Sequence, residues 1–216
     1  MVRIIWLGHA CVGIIRNNGY TIVIDPHDGV SIGLPKPYIK GDLILVTHDH
    51  FDHNAVKVVS KENSRIMKEF RGEAIVDDIK IIGIKTYHDK FEGRRRGENT
   101  IYILEVDNYK IAHLGDLGHI PSENILNNLK GLDLLILPVG GTYTIYPDEA
   151  WRIIESIKPN NVLPIHCWVP GLTLPLHPID DFIVYVKKYR VVRLDTNEFP
   201  LEEYNHNIII PSVKKK

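Results

Sequence analysis

Residues 47–53 read Thr47-His48-Asp49-His50-Phe51-Asp52-His53 and directly follow the apolar run Leu43-Ile44-Leu45-Val46. The apolar run predicts a buried β-strand, and ligands at the end of a rigid strand are held in place before an ion binds. Five side chains of the heptapeptide can bind a metal ion: His48, Asp49, His50, Asp52 and His53. Clusters of this density are typical of metal sites, so we favour a metal centre over a solvated turn that is merely rich in His and Asp.

The length and charge of the chain favour one domain without a strong electrostatic partner. Its 216 residues contain no Ser/Gly/Pro-rich linker and no charged spacer, so we predict a single domain over residues 1–216. The formal charge is −1, from 26 Lys and Arg against 27 Asp and Glu. Such a balance gives no overall field that would attract nucleic acid or an anionic membrane, and we expect neither as a partner.

The N-terminal segment and the cysteines favour a cytoplasmic protein. The apolar start at Met1–Trp6 soon meets Gly8, His9 and Arg16, so it predicts a core strand rather than a signal peptide or a membrane span. Cys11 and Cys167 lack CxxC spacing, which fits a reducing compartment. The sequence leaves the oligomeric state open, with a homo-oligomer among the alternatives.

Short apolar runs separated by turn signals fill the first half of the chain. Tight turns at Asn17–Gly19 and Asp107–Asn108 predict hairpins. We therefore predict mainly antiparallel sheet here, with one helix from about Ala55 to Ser60. The predicted strands are Val2–Leu7, Cys11–Arg16, Tyr20–Asp25, Leu43–Val46, Ile79–Tyr87, Thr100–Val106 and Tyr109–Leu114.

The second half alternates helices with strands. Proline followed by acidic residues favours a helix start, because negative charge is stabilised at the positive end of the helix dipole. Two layers of sheet with helices outside would bury the strands on both faces. The predicted helices are Pro121–Leu129, Pro147–Ile157 and Pro178 to about Lys188, and the predicted strands are Leu134–Val139 and Val162–Ile165.

Nearly every predicted strand ends in a His or an Asp. Asp25, His88, Asp116 and His166 occupy such positions, as does the 48–53 cluster, and a site at one edge of a sheet requires this pattern. In extended backbone His48 and His50 point the same way, whereas Asp52 and His53 belong to the turn and can face a second point. The cluster therefore offers two ligands to each of two ions.

The motif and its later landmarks resemble the metallo-β-lactamase superfamily. The stretch from His48 to His53 matches the pattern His-x-His-x-Asp-His, and Tyr87-His88, His113-Leu114-Gly115-Asp116 and Pro164-Ile165-His166 follow in the order of that superfamily. The similarity extends from about residue 4 to residue 168 and is closest to the small UlaG-like and UPF0173-like metal-dependent hydrolases. The resemblance implies an α/β (α+β) fold, the four-layer αββα sandwich of this superfamily.

The resemblance also implies the roles of the site residues. His48, His50 and His88 would bind one divalent ion, His53, His166 and Asp52 would bind the other, and Asp116 would bridge them. Asp25 would orient the cluster from outside. Nitrogen and carboxylate ligands without thiolate favour Zn²⁺, with Mn²⁺ and Fe²⁺ as alternatives.

The implied activity is hydrolysis. A hydroxide shared by the two ions would attack a small-molecule ester, lactone or phosphodiester, with Asp52 and Asp116 as catalytic residues. A nuclease of the same superfamily is one alternative, although the balanced charge gives no basic surface for nucleic acid. A metal-binding scaffold without turnover is the other, although no ligand of the motif is missing.

Several residues have open roles. His9, His119 and Tyr143 are candidate outer or substrate-contacting groups, with a surface or core position at least as favoured. His113 is predicted to be packed, and Cys167 to be a buried thiol.

Two glycine-containing loops also have open roles. Arg94–Arg96 could hold a phosphorylated substrate, because Arg pairs with phosphate through two hydrogen bonds, but a solvated loop is favoured. Gly140-Gly141 either lets the backbone approach a substrate or ligand loop, or forms only a turn.

Overall fold

The computed structural model describes residues 1–213 and contains two β-sheets. Six strands form the first sheet: β1 (Arg3–Trp6), β2 (Val12–Ile15), β3 (Thr21–Ile24), β4 (Gly41–Val46), β5 (Ser60–Lys68) and β13 (Glu198–Pro200). Their order across the sheet is β13-β1-β2-β3-β4-β5.

Eight strands form the second sheet. They are β6 (Gly72–Val76), β7 (Ile79–Tyr87), β8 (Glu98–Val106), β9 (Tyr109–His113), β10 (Leu134–Pro138), β11 (Asn161–Ile165), β12 (Arg190–Arg193) and β14 (Asn207–Ile210). Their order is β12-β14-β11-β10-β9-β8-β7-β6. Strands β6 to β9 pair antiparallel, and strands β9, β10, β11, β14 and β12 pair parallel.

The helices are few and short. They are α1 (Val56–Val59), α2 (Glu123–Asn128), α3 (Pro147–Ile157) and α4 (Ile179–Ile183), with 3-10 turns at Val30–Ile32 and Leu201–Glu203. In α3 the first turn carries Pro147, and the side chain of Glu149 accepts a hydrogen bond from the backbone N–H of Tyr146 at 3.0 Å. Within residues 1–213, no helix combines the length and the apolar character that crossing a membrane would require.

The central strands of the first sheet, β2, β3 and β4, are buried on both faces. Ile22 and Ile24 of β3 belong to the large core cluster, which contains residues from both sheets. Val23 lies between them in sequence and packs instead in a second cluster with Val59 of α1. Because successive strand residues point to opposite faces, one face of this sheet packs towards the second sheet and the other towards α1.

The predicted fold class, a mixed α/β fold built on two sheets, is confirmed. The expectation of a mainly antiparallel first half is confirmed for most strand pairs, with two exceptions in the first sheet. Strands β3 and β4 pair parallel, as do β4 and β5. The segments between these strands, residues 25–40 and 47–59, return the chain to the same end of the sheet, as parallel pairing requires.

Several other boundaries differ from the prediction. Strands β5 and β6 were not predicted, because β5 is an edge strand whose residues are mostly exposed and lack strict alternation. The helix predicted from Pro178 to about Lys188 is limited to Ile179–Ile183. Strands β12, β13 and β14 lie in the C-terminal region and were not predicted.

Candidate metal centre

The predicted site residues lie together at the ends of five strands. Asp25 follows β3, residues 47–53 follow β4, His88 follows β7, Asp116 lies three residues after β9, and His166 follows β11. The seven residues implied as ligands, His48, His50, Asp52, His53, His88, Asp116 and His166, are therefore brought to one place. All of them except His50 are buried, with side chains turned away from bulk water.

Asp116 lies at the centre of this cluster. Its Oδ2 atom is 3.1 Å from Nε2 of His88 and 3.1 Å from Nε2 of His166. The same oxygen is 3.3 Å from Nε2 of His53 and 3.9 Å from Nε2 of His48. The other oxygen, Oδ1, is buried and has no hydrogen-bond partner among the described residues. One carboxylate therefore faces imidazoles from both implied ligand groups.

The first group consists of His48, His50 and His88. Each has a ring nitrogen within 4.8 Å of a ring nitrogen of the other two, close enough to share an ion. The ring of His48 lies 4.5 Å from that of His50 and 4.9 Å from that of His88, measured between centroids. This is the set that the family resemblance implies for one metal.

The second group differs from the expected set by one residue. His53 and His166 share a potential ion position with His9, with ligand atoms within 4.8 Å of one another. Asp52 lies beside this group, with its Oδ2 atom 3.1 Å from Nε2 of His9 and 3.7 Å from Nε2 of His53. The sequence analysis left the role of His9 open. His9 nevertheless lies shortly after the end of β1, as the other site residues lie after the ends of their strands.

Asp25 orients the cluster from behind. Its carboxylate accepts hydrogen bonds from the backbone N–H of Thr47 at 2.8 Å, from the Thr47 hydroxyl at 2.7 Å and from Nδ1 of His53 at 3.1 Å. Because the Thr47 hydroxyl donates to Asp25, it accepts from Nδ1 of His48 at 2.9 Å. With Nδ1 hydrogen-bonded in this way, both histidines direct Nε2 into the cluster, the orientation that a metal ligand needs.

Strained backbone fixes three of these side chains. His9, Asp25 and His166 have φ angles of 52°, 51° and 50°. This left-handed region is uncommon for residues other than glycine and is found where surrounding structure imposes it, often at functional sites. The carbonyl of His9 accepts hydrogen bonds from the indole N–H of Trp6 at 3.0 Å and from the backbone N–H of His166 at 3.1 Å. A backbone hydrogen bond therefore joins the strained turn at His9 to the strained turn at His166.

The histidines of the cluster have pKa values that are shifted in opposite directions. Burial, together with the charge of His53, lowers the pKa of His48, and burial and nearby His166 lower the pKa of His9 to about 3. Burial alone would lower the pKa of His53, but the carboxylates of Asp116 and Asp25 raise it well above its usual range. The pKa of Asp116 lies well below its usual range, because the charges of His166 and His53 outweigh the opposing effect of burial.

Comparison with known proteins decides the family. A family model described as a beta-lactamase superfamily domain matches residues 3–166, and the chain carries the metallo form of the motif. The chain belongs to the metallo-β-lactamase superfamily.

Several known proteins are similar to this chain over most of its length. A UPF0173 metal-dependent hydrolase of Thermococcus onnurineus is 32% identical over 197 residues, covering 79% of this chain and 87% of the relative. One from Thermoplasma acidophilum is 31% identical over 189 residues, covering 76% and 83%. A solved structure from Thermotoga maritima, described as a candidate Zn-dependent hydrolase of the superfamily, is 31% identical over 98% of each chain, with a TM-score of 0.78. These matches confirm the predicted class, a metal-dependent hydrolase.

Buried polar atoms of the cluster that lack hydrogen-bond partners also indicate a metal site. Among the described residues, Nε2 of His48 and of His53 and Oδ1 of Asp116 are buried without a hydrogen-bond partner. Buried polar atoms without a partner are costly, and several that converge on one place indicate a group that satisfies them. Imidazole and carboxylate ligands suit Zn²⁺, Mn²⁺ and Fe²⁺.

A cavity of about 350 Å³ opens onto the cluster. It is lined by His50, Phe51, Asp52, His88, Arg95, Arg96, Asp116, Tyr143, His166 and Leu174. A larger and mostly apolar cavity of about 650 Å³ is lined in part by Trp6, Cys167 and Trp168. It includes none of the seven implied ligands, so the smaller cavity is where chemistry at the cluster can occur.

The structure shows the positions of three residues whose roles the sequence left open: His113, His119 and Cys167. His113 is buried, accepts a hydrogen bond from Gly115 on Nδ1 and contacts the carbonyl of Ala10 through Nε2 at 3.0 Å, so it is packed as predicted. His119 contacts the backbone of Tyr87 and Ile120 and does not line the cavity. Cys167 is buried, and burial raises the pKa of its thiol to about 12, as expected for an inert thiol.

Gly140 permits a close backbone approach to the ligand loop. A Cβ atom at this position would lie 2.1 Å from the carbonyl oxygen of His166, which no real contact allows. Of the two alternatives for the Gly140-Gly141 pair, the structure therefore shows a close backbone approach, here to the loop that carries His166.

Proposed function

We propose that this hydrolase cleaves a small-molecule ester, lactone or phosphodiester with two divalent metal ions. His48, His50 and His88 would hold one ion, and His53, His166 and Asp52 the other, with Asp116 shared between them. Zinc is the proposed native metal, and the UlaG-like branch the proposed subgroup. The two free, buried cysteines support a cytoplasmic location.

The position of Asp116 carries this proposal. Its Oδ2 atom lies 3.1 Å from Nε2 of His88, in one ligand group, and 3.1 Å from Nε2 of His166, in the other. A carboxylate between two sets of imidazoles is suited to link two cations and to reduce the repulsion between them. Two groups of imidazoles around one carboxylate support two ion positions rather than one.

When bound, the ions supply Lewis acidity and a water molecule that loses its proton near neutral pH. The side chains of the protein supply a proton acceptor and hold it in position. Asp52 lines the cavity as an ionised carboxylate, because the hydrogen bond from His9 and the charge of His53 keep its pKa below the usual range although burial opposes this. As a carboxylate it is a candidate proton acceptor as well as a ligand. His9 orients that carboxylate from its buried side.

The size of the cavity supports a small substrate. A volume of about 350 Å³ lies at the lower end of the range of about 300–1,000 Å³ that is typical of small-molecule sites. Its outer wall contains Phe51, Tyr143 and Leu174, which can pack against apolar parts of a substrate. The lining includes no extended basic groove of the kind that single-stranded nucleic acid needs.

The test combines metal content with turnover. We expect about two equivalents per chain, measured by elemental mass spectrometry after stripping and reconstitution with Zn²⁺ or Mn²⁺, and turnover of one class in a screen of lactones, esters and phosphodiesters. Asp116→Asn, which keeps the shape but removes the charge, should lose at least one equivalent and more than about 100-fold in kcat/KM, beyond the loss typical of outer partners. Two retained equivalents with full activity in this variant would remove Asp116 from the site.

A further inference from the structure

We propose that Arg95 and Arg96 form an anion subsite of the metal cavity, and that the substrate carries a phosphate monoester group apart from the bond that is cleaved. The inference rests on the proposed function and names the substrate class of the same site. It reverses the sequence-based preference for a solvated loop at residues 94–96.

The loop that carries these arginines has a defined conformation. The carboxylate of Asp89 accepts backbone hydrogen bonds from Phe91 at 2.7 Å, Gly93 at 3.1 Å, Arg95 at 2.9 Å and Arg96 at 2.8 Å. Asp89 itself is 4% exposed, so these four bonds are shielded from water. The loop is thus fixed by the residue that follows His88, one of the implied ligands.

The loop is also closed at its other end. The backbone N–H of Gly97 donates to the carbonyl of Gly93 at 2.9 Å, and the N–H of His88 donates to the carbonyl of Gly97 at 3.1 Å. The loop that carries Arg95 and Arg96 is therefore tied by its backbone to His88. A loop whose only role was solubility would not need this attachment.

Both side chains are held at the cavity. The guanidinium carbon of Arg96 lies 5.4 Å from the ring centroid of Tyr143, and Nη2 of Arg96 contacts the carbonyl of Thr142 at 3.4 Å. The guanidinium carbon of Arg95 lies 3.9 Å from the ring centroid of Phe91. Packing against aromatic rings restricts the guanidinium groups while leaving most of their N–H donors free.

Neither arginine is neutralised by the protein. Within residues 1–213, no carboxylate forms an ion pair with Arg95 or Arg96, whereas neighbouring Lys90 is paired with Glu149 at 2.6 Å. Two unpaired guanidinium groups line a cavity that also contains His50 and His88. A planar guanidinium binds phosphate oxygens through two parallel hydrogen bonds, and two such groups suit a dianion with three free oxygens.

Arg94 provides a matched control. It belongs to the same loop and has the same charge, but its side chain is 81% exposed, lies 3.8 Å from Glu92 and does not line the cavity. An effect of general loop charge would appear in Arg94→Gln as strongly as in Arg95→Gln and Arg96→Gln. A built subsite would respond only to the latter two.

The first experiment measures binding of inorganic phosphate by calorimetry, with metal-stripped and with zinc-reconstituted protein. We expect the Kd to rise about tenfold in Arg95→Gln and in Arg96→Gln, to rise further in the double variant, and to change less than about twofold in Arg94→Gln. Acetate should bind more weakly than phosphate. Absence of phosphate binding to the parent protein, equal effects in all three variants, or tighter binding of acetate would overturn the proposal.

The second experiment separates this proposal from the proposed function. For a hydrolysable ester or lactone compared with its phosphorylated counterpart, Arg95→Gln and Arg96→Gln should raise KM about tenfold or more for the phosphorylated substrate only. Equal effects on both substrates would refute the subsite and leave the hydrolase intact. Arginine-dependent phosphate binding in a protein that hydrolyses none of the screened classes would refute the hydrolase and leave the subsite intact.

Discussion

Nε2 of His9 lies 3.1 Å from Oδ2 of Asp52, and these residues are 43 positions apart in the chain. His9 is fully buried, and its carbonyl holds the backbone of His166, so its ring has little freedom. It therefore fixes the carboxylate of Asp52 in the second ligand group. His9 thus couples two implied ligands of that group, Asp52 through its ring and His166 through its backbone.

His9→Ala should weaken binding of the second metal ion by about 10- to 100-fold, the usual effect of losing a partner that orients a ligand. His9→Gln, which keeps a donor near the position of Nε2, should recover part of this loss. Metal equivalents after dialysis against graded chelator concentrations measure the effect. His206→Asn is the control, because His206 is exposed, stacks on Tyr189 away from the cluster and has a φ angle of 62° that Asn tolerates. Unchanged metal affinity in His9→Ala would exclude the coupling.

The sequence identified the cluster because the ligands are encoded locally. His48, His50 and His53 lie within one short motif, and His88 and His166 each follow a recognisable apolar strand. Their positions at strand ends follow from the apolar pattern, whereas their roles as ligands are implied by the family resemblance. The sequence could not find the contact between His9 and Asp52, since it depends on how a strained turn after β1 meets the loop after β4.

The same reasoning explains the errors in the fold. The apolar pattern of β3 and β4 predicts buried strands correctly, but pattern does not distinguish parallel from antiparallel pairing. Strand β5 has exposed residues on both faces and was not detected, since its partner β4 supplies the hydrogen bonds that hold it. The closed form of the Asp89 loop also escaped prediction, because one carboxylate that accepts four backbone donors has no periodic signature.

Metal binding should release a proton from His53. In the metal-free protein the carboxylates of Asp116 and Asp25 outweigh burial and raise the pKa of His53 well above its usual range, so its ring is protonated at neutral pH. A ligating imidazole must be neutral, and metal affinity should therefore increase with pH through the neutral range. Calorimetry in buffers with different ionisation enthalpies should show release of about one proton from this residue at pH 7.

Asp25→Asn tests the origin of that proton. Loss of the Asp25 charge removes one of the two carboxylates that raise the pKa of His53, so the variant should release fewer protons at pH 7 and bind metal more weakly. A bound water that ionises would contribute equally in both proteins, and the difference between them isolates His53. Equal proton release from parent and variant would contradict this assignment.

His27 should make the metal-free protein sensitive to acid. Burial lowers its pKa to about 4, although the carbonyl of Leu7, 3.2 Å from Nε2, opposes the shift. Between about pH 4 and pH 6.5 the unfolded chain binds a proton at His27 that the folded chain does not bind. The contribution of neutral His27 to the free energy of unfolding is therefore complete above pH 6.5 and is lost as the pH falls towards 4. The loss is on the order of 3 kcal/mol.

His27→Gln keeps a donor for the Leu7 carbonyl but does not titrate. The free energy of unfolding, measured with urea on metal-free protein from pH 7 to pH 4, should therefore decrease less steeply in the variant than in the parent. The comparison requires metal-free protein because ligand protonation adds its own pH dependence. Parallel pH profiles for the two proteins would show that His27 is not the source.

Gly140→Ala should disturb the metal centre from outside the cavity. The added Cβ would lie 2.1 Å from the carbonyl oxygen of His166, and backbone atoms can move apart only if the strained turn at His166 shifts. We expect a loss of about 1–3 kcal/mol in the free energy of unfolding, as is usual for overpacking, together with weaker binding of the ion assigned to His166. Gly13→Ala is the matched control: its Cβ would meet the terminal carbon of Ile39 at 2.4 Å, and a flexible side chain can turn aside. That variant should keep both metal equivalents, so equal metal loss in the two variants would show that the effect is general destabilisation rather than displacement of His166.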